Sequence, residues 1–333
     1  MFAHCDPFYL TMLLSSIIAA FIPTLFYIAI IYAVDRYEKE PLWLLSAAFL
    51  WGAIPAVIAA LIFNLSFGVP FYLLLDPQSA DAAVASFVAP LVEETAKGLA
   101  LLGILYLWRS HIDSILDGII YGAMIGLGFA MIENIFYFVD APADEFNFLV
   151  VMRSYVFGLN HSFFTAITGV GVAISRLNRT QSIKIIAPIL GWTGAVFVHF
   201  VHNASASLSG TLGAIACIPL FVNAWGGVLL LGVIIVWALV QERNWIREYL
   251  AREMAQDIIT TKQYKVAGSM LQRLSASFTH LFTGNVSQFR KTRRFYHQCS
   301  RLAYACHHEE LYQDEEGRKL AAELREWVKN NPL

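Results

Sequence analysis

Charged residues are scarce in this chain. Asp, Glu, Lys and Arg make up only 14% of its 333 residues, whereas 57% are hydrophobic and the mean hydropathy is +0.57. Average soluble domains contain about 25% charged residues, so this composition excludes an ordinary water-soluble protein. The net charge of −2 gives no sign of a nucleic-acid partner, and we expect none.

Cysteine is also scarce. The chain has four: Cys5, Cys217, Cys299 and Cys306. Such scattered cysteines do not form the dense disulfide framework of a small secreted domain. Cys5 and Cys217 fall near the same predicted membrane face and are candidates for a pair. The last two cysteines, with His307 and His308, permit a metal site, but helical spacing on an amphipathic tail is the simpler interpretation.

Two further features are absent. No basic segment with a small-residue cleavage site precedes the first apolar run, so we predict an uncleaved anchor rather than a signal peptide. No internal repeat is visible, which leaves a transporter built from inverted repeats without support.

Long apolar runs dominate the sequence instead. Seven are almost free of charge: residues 10–33, 42–63, 83–108, 116–138, 148–175, 185–207 and 213–240. Each exceeds the roughly 20 residues with which a helix crosses about 30 Å of hydrocarbon. We therefore predict an all-α, polytopic membrane protein of about seven transmembrane helices. Its expected domains are a transmembrane domain, residues 1–240, and a small soluble helical tail, residues 241–333.

The distribution of Lys and Arg predicts the orientation. Three loops contain the basic residues Arg36, Lys39, Arg109, Arg176, Arg179 and Lys184. The alternate loops, near residues 64–82, 139–147 and 208–212, contain none. Because short cytoplasmic loops are enriched in Lys and Arg, we expect the N-terminus outside and the C-terminal tail in the cytoplasm.

The tail has a pattern of its own. Apolar residues recur at helical spacing from residue 245 to 259 and again from 319 to 328, which predicts two helices. Gly284 and Asn285 are typical of a turn between helices. With 15 Lys/Arg against 11 Asp/Glu, the tail is mildly basic and could rest against anionic lipid.

Ionisable residues inside the predicted spans are the candidates for function. A charge near the bilayer centre costs about 2.5–3.5 kcal/mol on insertion scales, so such residues usually face a protein interior. Four spans carry such residues or polar companions: Glu93, Glu94 and Lys97 in the third, Glu133 in the fourth, His161 in the fifth, and His199 with Asn203 in the sixth. Counting residues from the span ends places them in one slab, from the bilayer centre to the outer leaflet.

The spacing of these residues predicts a hydrolytic centre. Lys97 lies three and four residues after the two glutamates, so its ammonium can pair with one carboxylate and leave the other free. Glu93 would take a proton from a water molecule that His161 positions. His199 and Asn203 share one helix face. They would contact the oxyanion that develops on the carbonyl oxygen during peptide hydrolysis.

Two alternatives stay open for this cluster. A zinc ion held by His161, His199 and a glutamate such as Glu133 is the competing mechanism, although no HExxH motif is present. Each buried histidine could instead be structural, and Glu94 with Lys97 could be only a buried ion pair.

Five segments resemble, in this order, the successive motifs of the PrsW family of intramembrane proteases. They are DRYEKEP (35–41), EETAK (93–97), DGIIYGAMIGLGFAMIEN (117–134), NHSFFTAITG (160–169) and HFVHN (199–203). The match covers roughly residues 34–205 and implies that Glu93 and Glu94 are the paired family glutamates. It further implies the remaining site residues: Lys97, Glu133, His161 and His199. Asn203 fits the H-x-x-x-N pattern of the related CAAX-prenyl endopeptidases.

By resemblance, the chain is expected to be an intramembrane endopeptidase of a bacterial cell membrane that cleaves membrane-anchored, single-span proteins. The family is catalogued with metallopeptidases, whereas the related prenyl endopeptidases resemble metal-independent glutamate enzymes. We favour the glutamate type, and zinc is the alternative cofactor. The competing functions are a proton-coupled transporter or channel that uses the same Glu and His residues, and a non-catalytic binding scaffold. No oligomeric state is predicted.

Overall fold

The computed structural model describes residues 7–313 and 315–333. Within these ranges the chain is helical and contains no strand, so the predicted all-α fold is confirmed. Cys5 lies outside the described residues, and its pairing with Cys217 stays a prediction.

The described residues form two compact units: 7–34 with 40–235, and 35–39 with 236–313 and 315–333. The described helices of the first unit are α1 (Pro7–Val34), α2 (Leu42–Trp51), α3 (Val57–Leu74), α4 (Pro77–Ala83), α5 (Ala89–Leu107), α6 (Ile115–Val139), α7 (Phe146–Val150), α8 (Asn160–Leu177), α9 (Gln181–Leu212), α10 (Ala214–Phe221) and the start of α11 (Gly227–Ala255). Short π-helical segments follow α2, α4, α7 and α10: Gly52–Ala56, Val84–Val88, Val151–Val156 and Val222–Gly226.

Among the described residues, six helical stretches are long and apolar enough to cross a membrane: Tyr9–Val34, Leu42–Leu74, Ile115–Val139, Phe146–Leu177, Gln181–Leu212 and Ala214–Ala255. They confirm the predicted polytopic membrane protein. The third predicted span is also helical, since α4, a π segment and α5 follow one another from residue 77 to 107. Three charged residues, Glu93, Glu94 and Lys97, interrupt its apolar sequence. This stretch is therefore not among the six that are apolar enough to span a membrane by composition.

Helix α6 is the most enclosed helix of the first unit, with 89% of its most apolar stretch buried inside the protein. Small residues permit the close helix contacts that stabilise membrane proteins. Gly126 lies so near α8 that an added Cβ would be 2.2 Å from the His161 carbonyl oxygen. Gly118 and Gly169 approach each other in the same way farther along this interface. These glycines bring α8, and with it His161, against α6.

The predicted fifth span is interrupted at residues 157–159, and α8 begins anew at Asn160. At Gly158 an added Cβ would lie 2.2 Å from the Ser154 carbonyl oxygen and 2.8 Å from the Tyr27 ring. The Tyr27 hydroxyl donates a hydrogen bond to the same carbonyl at 3.0 Å. Irregular backbone at membrane depth is tolerated where it is buried in protein. The interruption places His161 in the first turn of α8.

The described part of the second unit contains residues 35–39, the end of α11 and four further helices: α12 (Thr261–Ala267), α13 (Met270–Phe282), α14 (Val286–Tyr312) and α15 (Glu315–Asn330). Its core combines apolar residues of α11, α14 and α15, among them Leu250, Leu302 and Val328. Both helices predicted in the tail are confirmed, although α11 ends at Ala255, four residues before the predicted end.

The predicted turn in the tail is confirmed as well. Gly284 has a φ of 74°, a left-handed conformation that glycine adopts without a steric penalty. The Asn285 side chain then accepts a hydrogen bond from the Gln288 amide at 3.0 Å and caps α14.

Cys299 and Cys306 both lie on α14. Burial raises the pKa of each thiol to about 12. The His307 ring stacks on Trp245, with ring centroids 4.2 Å apart. Across residues 7–313 and 315–333, the one group of side chains able to hold a metal lies in the first unit. The contacts of His307 and the burial of the two thiols are packing contacts, and the simpler interpretation of this part of the tail stays a prediction.

Candidate active site

A buried polar cluster forms where α5 packs against α6, α8 and α9 in the first unit. Helix α5 supplies Glu93, Glu94 and Lys97, of which the latter two are fully buried. Helices α8 and α9 supply His161 and His199. All predicted site residues except Asn203 join this cluster through contacts of 4.0 Å or less.

Glu94 is held by three donors. Its Oε1 accepts hydrogen bonds from Lys97 Nζ at 2.5 Å and from His199 Nδ1 at 3.0 Å. Its Oε2 accepts one from the Thr165 hydroxyl at 3.2 Å. A buried carboxylate is tolerated when it is paired and its lone pairs are satisfied. Since a carboxylate only accepts, Glu94 places the proton of His199 on Nδ1 and leaves Nε2 available.

Glu93 is bound far less completely. Its Oε2 lies 4.0 Å from Lys97 Nζ and 3.9 Å from His199 Nε2. This oxygen is buried and has no hydrogen-bond partner. Buried polar atoms without a hydrogen-bond partner are rare in folded proteins, and each one needs an explanation such as a catalytic role. The two glutamates thus differ: Glu94 has its oxygens bonded, whereas Glu93 keeps one buried oxygen without a hydrogen-bond partner.

Asn64 of α3 is a neighbour of Glu93 that the sequence did not identify. Its Oδ1, like Glu93 Oε2, is buried and has no hydrogen-bond partner. An uncharged Asn in an apolar run gives little sequence signal, because a search for ionisable residues passes over it.

His161 connects the two halves of the cluster. Its Nδ1 lies 3.2 Å from Lys97 Nζ, and its Nε2 lies 2.9 Å from Glu133 Oε2. An ammonium can only donate, so Nδ1 accepts from Lys97 and Nε2–H donates to Glu133. The His161 and His199 rings stand nearly perpendicular, with centroids 5.1 Å apart.

Arg153 is the partner of Glu133 and was missing from the predicted site. Its Nη2 donates to Glu133 Oε2 at 2.6 Å, and its Nε donates to Asn134 Oδ1 at 2.8 Å. The guanidinium also lies over the Tyr137 ring, 3.6 Å from the centroid. A signal for it existed, because Arg153 is the single Lys or Arg within residues 148–175, and a charge inside a span marks function.

Asn203 lies apart from the cluster. Its Nδ2 donates to the Ala85 carbonyl oxygen at 2.8 Å, in the π-helical segment before α5. The neighbouring His202 instead lies 3.1 Å from Asn160 Nδ2. The expected contact of Asn203 with an oxyanion stays a prediction.

Glu93, His161 and His199 offer ligand atoms that all lie within 4.8 Å of one another. One carboxylate and two imidazoles are a donor set that suits catalytic zinc, which takes three protein ligands and a water. The unsatisfied Glu93 Oε2 and the free His199 Nε2 fit this group. A carboxylate behind a ligand histidine, as Glu94 stands behind His199, is the usual supporting contact.

Comparison with known proteins supports one family. The chain is 40% identical to Protease PrsW of Clostridioides difficile over 126 residues, which are 38% of this chain and 51% of that protein. It is 30% identical to Protease PrsW of Geobacillus kaustophilus over 156 residues, 46% of this chain and 64% of that protein. Thus the chain spans about half to two thirds of the length of these curated relatives. No solved structure matches it significantly.

A family model described as PrsW family intramembrane metalloprotease matches residues 40–241. That range contains every predicted site residue and covers more than half of the chain. It ends shortly after the apolar part of α11, so most of the tail lies outside it. The chain therefore belongs to the PrsW family.

Proposed function

We propose that this protein is an intramembrane endopeptidase that hydrolyses peptide bonds of membrane-anchored protein substrates. Residues 1–240 would form the transmembrane protease domain, and residues 241–333 the soluble helical tail. One observation carries the proposal: Glu93 Oε2 is buried, unpartnered and 3.9 Å from His199 Nε2. This is the arrangement that a buried general base requires.

The proposed reaction begins with a water molecule between Glu93 and His199. A separation of 3.9 Å between Glu93 Oε2 and His199 Nε2 allows one water to donate a hydrogen bond to each at about 2.8 Å. Both water protons are then engaged, so a lone pair of the oxygen is free to attack the scissile carbonyl. Glu93 takes the proton as the C–O bond forms and gives it to the nitrogen as the C–N bond breaks.

The other site residues would keep this geometry. Glu94 orients His199 through Nδ1, and Lys97 places a positive charge 4.0 Å from Glu93 Oε2. Glu133 fixes the His161 ring through Nε2. We propose that Asn203 assists indirectly, since its bond to Ala85 holds the segment from which α5 begins.

Zinc is the alternative cofactor, and the family description favours it. Glu93, His161 and His199 would hold it, and bound zinc would supply a Lewis acid that activates water at neutral pH. Lys97 Nζ favours the glutamate type instead, because it already donates to His161 Nδ1 at 3.2 Å. If His161 held zinc, Glu94 would remain as a hydrogen-bond partner for Lys97.

Substrate and orientation are part of the same proposal. The bacterial relatives named Protease PrsW support a bacterial cell membrane. The loop distribution of Lys and Arg favours an outer N-terminus and a cytoplasmic tail. A site enclosed by spanning helices favours a substrate segment that itself reaches the membrane.

A proton-coupled transporter or channel is the second candidate. Its supporting observation is the continuous series of contacts from Arg153 through Glu133, His161 and Lys97 to Glu94. Chains of this kind relay protons in transport proteins.

The proposed function is tested by comparing membrane proteomes of cells that carry the wild type, Glu93→Gln or a control, Glu248→Gln. Glu248 is an exposed tail residue paired with Arg252. We expect a membrane-anchored protein to stay uncleaved in the cells that carry Glu93→Gln, and to be cleaved in those that carry the wild type or Glu248→Gln. In liposomes, purified Glu93→Gln should then cleave that substrate about 10²–10⁴-fold more slowly.

Two outcomes decide against this proposal. Cleavage at the wild-type rate by purified Glu93→Gln would show that Glu93 is not the general base. Proton flux that depends on Glu133, without any proteolysis, would favour the transporter. Elemental analysis decides the catalytic type, because stoichiometric zinc lost together with activity would replace the glutamate mechanism.

A further inference from the structure

The tail has a long segment with charges of one sign. Residues 258–308 contain no Asp or Glu. The same segment contains the basic residues Lys262, Lys265, Arg273, Arg290, Lys291, Arg293, Arg294 and Arg301. The net charge of the whole tail is therefore only mildly positive because its strongly basic middle segment lies between two acidic ends.

An apolar surface is exposed in the middle of this basic segment. It follows one side of α13 and continues past the turn: Leu271, Leu274, Phe278, Leu281, Phe282 and Val286. Two of these side chains are almost fully exposed, Phe282 at 87% and Leu271 at 79%. Their spacing is that of an amphipathic helix whose apolar side has no covering element in the described tail.

The apolar and basic residues meet at the tip of the hairpin formed by α13 and α14. The Phe278 and Phe289 rings pack across the turn, with centroids 6.0 Å apart. The Arg293 guanidinium lies 5.6 Å from the Phe289 ring centroid. Arg290 and Lys291 are exposed in the turn of α14 between these two residues. The tip thus combines an exposed apolar end, which includes Leu281 and Phe282, with a group of basic residues, here called the basic collar. The collar consists of Arg290, Lys291 and Arg293.

We propose that this hairpin tip, residues 278–294, docks onto an anionic lipid surface. The basic collar would lie among phosphate headgroups, while Phe282 and its neighbours enter the headgroup boundary. Amphipathic helices with basic polar sides bind membranes in this way, and basic residues are attracted by anionic lipid. Lipid is also the partner at the highest local concentration, because α11 joins the tail to the spanning part of the chain.

The test uses the full-length protein in nanodiscs of phosphatidylcholine, with or without phosphatidylglycerol, and measures amide hydrogen exchange of residues 278–294. Exchange should slow in the anionic discs at about 0.1 M salt and return to the neutral-lipid rate at about 1 M salt. Arg290→Gln with Lys291→Gln should reduce the protection about 25-fold, or about five-fold for each charge.

Matched controls separate docking from general damage to the tail. Lys319→Gln with Lys329→Gln removes the same charge from exposed positions on α15 and should leave the protection unchanged. Phe282→Ser should reduce protection about ten-fold or more, whereas Leu320→Ser, at a partly exposed α15 position, should not.

The proposal is overturned by equal exchange in the two lipids. It is also overturned by protection that survives both high salt and charge removal, a result that would indicate a protein partner. Neither outcome bears on the protease assignment, because the hairpin lies outside the family match.

Discussion

The two units of this protein place their charges in opposite ways. In the first unit, Glu94 and Lys97 are both fully buried and 2.5 Å apart. In the tail, ion pairs such as Arg252 with Glu310 are about half exposed. Among the ion pairs described in the tail, Glu253 with Arg325 has a buried member, and there the arginine is still 34% exposed.

This difference shows what a charge signifies in each setting. Within spanning helices a charge must find a partner or a function. The predicted site residues other than Asn203 have found their partners in one another and form one cluster. In the tail, water stabilises single charges and most pairs contribute little. The informative property of the tail is therefore the distribution of charge along its surface.

The largest effect on stability is expected from breaking the fully buried pair. Lys97→Met leaves Glu94 buried without its counter-charge and should destabilise the protein by about 3–5 kcal/mol. Thermal unfolding of the purified protein in detergent measures the loss. The double variant Lys97→Met with Glu94→Gln should recover most of it, and unchanged unfolding of Lys97→Met would contradict this account.

A smaller loss is expected at the helix contact that positions His161. Gly126→Ala would place a methyl group 2.2 Å from the His161 carbonyl oxygen, and overpacking of this kind costs about 1–3 kcal/mol. Gly103→Ala is the matched control, because nothing lies within 4 Å of its added Cβ. Equal unfolding temperatures for the two variants would show that α6 and α8 are less closely packed.

The tail pair should matter less than its counterpart in the first unit. Arg325→Met leaves Glu253 without two hydrogen bonds, of 2.6 and 2.7 Å, but water reaches the site. We expect a loss of about 1–2 kcal/mol, against less than about 1 kcal/mol for the exposed control Arg252→Met. Both losses are measured from the denaturant dependence of hydrogen exchange at the tail amides. A loss as large as that of Lys97→Met would remove the contrast between the units.

A further contrast concerns thiol reactivity rather than stability. Burial raises the pKa of the Cys299 thiol from 9.0 to about 12, so at pH 8 the folded tail should hold about 10³-fold less thiolate than the unfolded chain. Alkylation with iodoacetamide, followed by mass spectrometry with and without denaturant, measures this protection. Equal rates in both states would mean that the core of the tail is open to water.

Much of the fold followed from local patterns. Apolar length predicted the spanning helices, and the pair Gly284 and Asn285 predicted the turn in the tail. The interruption at Gly158 did not follow, and the Tyr27 side chain that contacts it comes from a helix distant in sequence. The same distinction holds for the partners of Glu133: Arg153 is separated from it by 20 positions along the chain.

The amino-acid sequence alone determined which residues are ionisable at membrane depth, and that Lys97 reaches both glutamates from one turn away. Only the tertiary structure distinguished the contacts of the two glutamates. Thr165 and His199 arrive from α8 and α9 and bind Glu94, and so Glu93 is left with an unsatisfied oxygen. The physical reason is that helical spacing defines neighbours along one helix, whereas partners across helices depend on how closely the helices pack.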